Sequence, residues 1–218
     1  MSQPPLPTPE PLRPRALHPG DRVHLISPAG PVIPEILEEG IRFFRHLGLD
    51  LVIDETIYAR RPPYDYLAGD DSLRLEAFKR AWADPEARAL ICTRGGYGTM
   101  RLLPLLEPEF LRAHPKLLLG FSDITALHLY FSARVGIATL HGPVIKSIGL
   151  HGADPHQTLD ALQEALFAST ATPRPWEGLK TLRPGTVTGP VYGGNLSLLI
   201  PLLATPYCPD LEGAILIL

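Results

Sequence analysis

Lys116-Leu117-Leu118-Leu119-Gly120-Phe121-Ser122-Asp123-Ile124-Thr125 is an apolar run that gives way, at Ser122, to a helix-patterned stretch. A fully buried strand reads as such a run, and Ile124, Leu127, His128, Phe131 and Val135 then recur at helical spacing. The pattern predicts a strand over 116–121, a helix over 123–135 and Ser122 in the turn between them. At the carboxyl end of a parallel strand such a turn projects toward the crevice where open α/β sheets bind ligands. A serine there is either a helix N-cap, a position that favours Ser and Asp, or a nucleophile. Taken alone, the turn favours the cap.

The same alternation extends outward on both sides. Strands are expected over 23–26, 49–53, 89–92 and 137–140. Ile33, Leu37, Gly40, Ile41, Phe44 and Leu47 share one helical face that Gly48 should end. Leu75, Phe78 and Trp82 mark a helix stopped by Asp84-Pro85, Pro104 shortens or kinks the helix after Gly98, and Leu159, Leu162 and Leu166 mark another. Strands alternating with helices specify an α/β fold, a mainly parallel sheet flanked by helices. Residues 1–20, rich in proline with little to bury, read as a flexible arm, with folded structure beginning near Asp21. Residues 21–169 form the main domain and 170–185, with Pro173, Pro175, Gly178, Pro184 and Gly185, a linker. Residues 186–218, with strands over 187–192 and 213–218 and a helix opening near Asn195, begin a smaller domain. Its last residues stop inside an apolar strand, so this second domain is expected to be incomplete.

A chain of 218 residues, 45% hydrophobic and 20% charged with a net charge of −3, offers no electrostatic case for nucleic acid or an acidic membrane surface. A small-molecule or peptide partner fits better. Cys92 and Cys208 have no CxxC spacing or histidine pair nearby, so neither a disulfide framework nor a metal site is indicated and a reducing cytoplasm is the default. No apolar run reaches the roughly 18 residues of a membrane span, and the first 20 residues lack the apolar core of a signal peptide.

Thr93-Arg94-Gly95-Gly96-Tyr97-Gly98 follows a strand and precedes a helix, a setting where backbone N–H groups can hold an anion. It lacks both the Gly-Lys-Ser/Thr of a P-loop and the G-x-G-x-x-G order of a dinucleotide site. A structural turn or an oxyanion hole beside Ser122 are the other readings. A serine nucleophile needs a base, usually oriented by an acid. Of the eight histidines, His128 lies on the apolar stripe and reads as a core residue; His141, in His141-Gly142-Pro143, is the one placed at the carboxyl edge of the sheet.

Ile26-Ser27-Pro28-Ala29-Gly30, Tyr66-Leu67-Ala68-Gly69, Arg94-Gly95-Gly96-Tyr97-Gly98, Gly120-Phe121-Ser122-Asp123-Ile124-Thr125, His141-Gly142-Pro143 and Gly193-Gly194-Asn195-Leu196 together resemble the LD-carboxypeptidases, in that family's order. The resemblance implies a serine peptidase with a Ser-His-Glu triad and no cofactor. It would release a terminal D-amino acid from an L-centre in murein tetrapeptides, a step of peptidoglycan recycling in the cytoplasm; some relatives hydrolyse microcin-type peptide nucleotides. It also implies a nucleophile domain similar to class I glutamine amidotransferases, a smaller, mainly β second domain, and a homodimer that no residue pattern here specifies. Carried over by position, Ser122 matches the nucleophile. The backbone N–H groups of Asp123, Gly95 and Gly96 match the oxyanion hole, and Asn195, with Tyr192, matches a segment bordering the substrate. The family's glutamate and histidine fall past Leu218, so these 218 residues are expected to be nearly inactive. The alternatives are a non-catalytic protein that binds a peptide or anion at the strand-end crevice, and a nucleotide-binding α/β domain.

Overall fold

The computed structural model describes residues 11–63, 65–148, 155–168 and 179–218. Five strands, β1 (Arg22–Ile26), β2 (Asp50–Ile53), β3 (Ala87–Cys92), β4 (Leu117–Gly120) and β5 (Leu140–His141), form one sheet in the order β2-β1-β3-β4-β5, every pair parallel. Parallel neighbours need crossover connections. Helices α1 (Pro34–His46), α2 (Asp71–Ala83), α3 (Pro108–Ala113), α4 (Thr125–Tyr130), α5 (Ile145–Ile148) and α6 (Pro155–Phe167) lie along the chain between and after the strands. The strand order reverses between β1 and β3, which opens a crevice at their carboxyl ends.

Successive strand residues point to opposite faces, so the central strands feed two cores. Leu90 and Leu118 join Phe78, Trp82, Leu127, Tyr130 and Phe131 on one face. Ala89, Ile91 and Leu119 join Leu17, Leu37, Phe44, Ile145 and Leu166 on the other. Trp82 is fully buried, stacks on Phe78 at 5.7 Å and donates its indole N–H to the Leu111 carbonyl at 3.1 Å. Burying the ring while satisfying its one polar group is what lets tryptophan serve as a core residue.

Several expectations shift. Residues 11–20 are extended, as the prolines dictate, but they pack against the domain instead of hanging free. Leu17 is 1% exposed and its N–H donates to the Leu166 carbonyl at 2.8 Å. Leu12 bridges Ile137, donating to Gly136 and accepting from Ala138, each at 2.8 Å. This segment therefore takes the backbone pairing expected of a strand over 137–140, and β5 starts three residues later, at Leu140. The chain after Gly98 forms two short 3-10 turns, Thr99–Arg101 and Leu103–Leu105, before α3. The helix expected over 123–135 is a 3-10 turn, then α4, then a π turn closed by Gly136. Beyond the main sheet, β6 (Val191–Gly193) and β7 (Ile215–Ile217) pair in parallel, with α7 (Leu196–Leu199) between them. Residues 170–178 of the expected linker lie outside the described residues. No helix among the described residues is long and apolar enough to cross a membrane.

Candidate active site

Ser122 follows β4 by two residues and has φ +64°, in the left-handed region that a residue with a Cβ rarely adopts. Holding serine there costs roughly 1–3 kcal/mol. The N-cap position belongs to Phe121, and no side chain caps the turn. Ser122 is therefore not the cap that the turn alone favours. A positive φ at a serine between β4 and α4 is instead the local backbone that a nucleophile elbow requires.

Gly95 faces this corner. A Cβ at position 95 would stand 2.8 Å from Ser122 Cβ, 3.0 Å from Ser122 Oγ and 3.2 Å from the Asp123 nitrogen, so any side chain there would fill the space beside the hydroxyl. Glycine is required by close approach, and the Ser122 hydroxyl, the Asp123 N–H and the Gly95-Gly96 backbone come together. Neither Gly95 nor Gly96 has a protein acceptor for its N–H among the described residues. Backbone donors left free beside a hydroxyl can receive negative charge developing on a substrate oxygen.

Buried polar contacts hold these loops. The Asp123 carboxylate, 1% exposed, accepts from the Thr99 N–H at 2.9 Å and the Thr99 hydroxyl at 2.7 Å, tying the far end of the glycine loop to the elbow. Its side chain is thereby committed to structure while its N–H faces the site. The Arg74 guanidinium, fully buried, donates to the carbonyls of Pro28 and Gly98 and pairs with Asp71, strapping the turn after β1 to the loop after β3. Burial lowers the pKa of Arg74, yet guanidinium stays charged in proteins. Ser27 and Thr93 hydroxyls meet at 2.5 Å across the ends of β1 and β3, and Gly30 N–H donates to the Gly95 carbonyl at 3.2 Å. Sequence reading missed both the Asp123–Thr99 tie and the Arg74 strap. The available signal was an arginine four residues before Phe78, on the apolar stripe of α2.

His128 is the satisfied core histidine that its apolar stripe predicts. Its Nε2 donates to the Gly120 carbonyl at 2.8 Å, which leaves Nδ1 to accept from the Thr139 hydroxyl at 2.8 Å. Burial pushes its pKa down to about 4, so the ring is neutral near pH 7. His141 pairs in register with Gly120 at the sheet's carboxyl edge and is exposed, its ring edge-on to Phe121 at 6.4 Å. Partial desolvation lowers its pKa as well. His151 lies outside the described residues, as does the side chain of His156.

The second segment reaches the elbow through α4. Asn195 N–H donates to the Thr125 hydroxyl at 3.1 Å, three residues past Ser122. Gly194, at φ +115°, allows this approach, because a Cβ there would lie 2.4 Å from Thr125 Oγ1. Tyr192 sits half-buried on β6, its phenol pKa raised by burial and then by Asp210. Among the described residues no cluster of three His, Cys, Asp or Glu side chains could hold a metal ion.

The LD-carboxypeptidase N-terminal domain profile matches residues 23–142, a span that includes the elbow, the glycine loop and the five-stranded sheet. A Streptomyces coelicolor protein is 40% identical over 209 residues, covering 95% of this chain and 67% of its own length. The probable murein peptide carboxypeptidase of Bacillus subtilis is 37% identical over 207 residues, covering 94% of this chain and 63% of its own. In fold, an MccF-like protein from Bacillus anthracis superposes with a TM-score of 0.83 at 26% identity, over 94% of this chain and 68% of that one. The chain belongs to the LD-carboxypeptidase family, and it spans about two thirds of the length of these relatives.

Proposed function

We propose that this chain carries the nucleophile half of a serine carboxypeptidase acting on murein peptides, with Ser122 as the attacking residue. The left-handed backbone of Ser122 against Gly95 carries the reading. In the proposed reaction, Ser122 Oγ attacks the carbonyl that precedes a terminal D-residue. The N–H groups of Asp123, Gly95 and Gly96 stabilise the oxyanion, the D-amino acid leaves with a proton, and water hydrolyses the acyl-enzyme. Asn195, with Tyr192, borders the substrate. The family's murein-peptide naming in Bacillus subtilis supports this substrate class. Likeness to the microcin C7 self-immunity protein MccF of Escherichia coli, 27% identical over 228 residues, supports a second reading, hydrolysis of a microcin-type peptide nucleotide by the same serine.

Among the described residues no histidine hydrogen-bonds Ser122, and His128 is committed to Gly120 and Thr139. A serine without its base loses several orders of magnitude in rate. The 218-residue chain is therefore expected to label with a fluorophosphonate at Ser122, slowly, and to release D-alanine from an L,D-tetrapeptide only very slowly. Ser122→Ala should abolish the label, as read by intact-mass spectrometry. Labelling that persists in Ser122→Ala would remove Ser122 from the reaction. Turnover at an ordinary enzyme rate, lost in Ser122→Ala, would instead give the base role to His141.

A further inference from the structure

A carboxypeptidase must recognise a free carboxylate one residue beyond the bond it cuts. That carboxylate carbon lies about 4 Å from the scissile carbonyl carbon, within one residue's reach, so the group that reads it must stand beside the elbow. Arg74, Arg101, Lys146 and Arg94 are cations whose contacts reach the loops at this edge of the sheet. Arg74 is buried and spent on Asp71, Pro28 and Gly98. Arg101 is held in a two-pronged pair by Asp71. Lys146 is placed by its own backbone N–H, which donates to the Thr93 carbonyl at 2.9 Å. Arg94 directly precedes the glycine that touches Ser122.

We infer that Arg94 is the specificity residue that binds the terminal carboxylate of the substrate, a role that rests on the carboxypeptidase reading above. Its Nη1 donates to the Pro31 carbonyl at 3.0 Å, which anchors one corner of the guanidinium. Its Nε lies 3.1 Å from where a Gly30 Cβ would stand, and its Nη2 lies 3.8 Å from the same position at Gly96. Two glycines therefore clear the space around the fork, and the fork lies against the Gly96 backbone whose N–H is assigned to the oxyanion. Guanidinium carries five donors in a plane that matches a carboxylate, and a single anchoring bond leaves most of them for a ligand. Half-buried Arg94 binds in a setting less screened than open solvent, which strengthens a charge-assisted pair.

The test is calorimetric binding to the 218-residue chain carrying Ser122→Ala, which removes turnover. The probes are an L,D-tetrapeptide with a free C-terminal carboxylate and the same peptide as its C-terminal carboxamide. The carboxylate form should bind at least about 10-fold tighter. Adding Arg94→Gln should bring it to the affinity of the carboxamide, Arg94→Lys should keep a reduced preference, and Lys146→Gln should leave the preference intact. If Arg94→Gln does not fold, the reduced preference of Arg94→Lys decides. An undiminished preference in either Arg94 variant, its loss in Lys146→Gln, or no preference in the parent protein overturns the inference. Fluorophosphonate labelling of Ser122 in the wild-type chain separates the two readings: labelling with no carboxylate preference sinks Arg94 alone.

Discussion

At the scale of single residues, the site is made by polar groups placed against their ordinary preferences. Ser122 takes a backbone conformation suited to glycine, and His128 is a histidine held neutral inside the core. The latter makes stability depend on pH. The folded pKa of about 4 lies below the ordinary 6.5, so between these values the unfolded chain takes up the proton first. Stability contributed by the buried neutral ring is whole above pH 6.5 and is lost as pH falls toward 4, by up to about 3 kcal/mol. His141, also lowered, adds a loss of the same sign in this window. Asp54, Asp71 and Asp84, whose pKa values are lowered by their hydrogen bonds, lose their contribution only as pH falls below the ordinary carboxylate range. Urea unfolding from pH 7 to pH 4.5 should therefore show a marked fall in wild type and a shallower one in His128→Gln, whose amide can still donate to Gly120 but does not titrate. Equal slopes in the two proteins would show that the ring's burial is not the source.

At the scale of elements, the decisive test concerns the segment before β1. Leu17→Ala should cost about 2–3 kcal/mol if this segment is part of the core, read as a lower midpoint in chemical unfolding; a cost under about 0.5 kcal/mol, usual for surface sites, would return it to a free arm. The sequence left this packing illegible because Leu12 and Leu17, scattered among prolines, carry no period, and their partners, the 136–138 backbone and Leu166, are more than a hundred residues away. Where burial is nearly continuous, in β3 and β4, the reading succeeded because strands buried on both faces read as apolar runs; β1 and the edge strand β2 also fall within two residues of their expected bounds, on Val23, Leu25, Ile26 and Leu51 to Ile53. The irregular elements failed for the opposite reason. A 3-10 or π turn has the composition of a helix, so Thr99–Arg101 and Phe131–Val135 gave no warning. The candidate site was legible as a position, Ser122 in a strand-to-helix turn near Gly95. Its strain was not, since nothing about serine announces a positive φ.

At the scale of the whole molecule, burial is distributed unevenly. Residues 11–167 contain two cores, one on each face of the sheet. Residues 179–218 leave much apolar surface outward, including Leu182 (91% exposed), Val187 (75%) and Leu218 (67%). The β6–β7 pair has two strands, fewer than independent stability requires. What anchors this segment is α7 and the turn after it, where Leu199 and Leu202 join the core around Leu127, and the Asn195–Thr125 bond beside the elbow. Opening β6 from β7 should therefore cost far less than unfolding the main sheet, because little apolar contact is lost with it. Hydrogen exchange should show the paired amides of β6 and β7 exchanging at least about 100-fold faster than those of β3 and β4, a difference of about 3 kcal/mol in opening free energy. Equal protection would mean that the small sheet unfolds only with the large one. In that case the two form one cooperative unit, and Asn195 is held at the elbow as firmly as Ser122 itself.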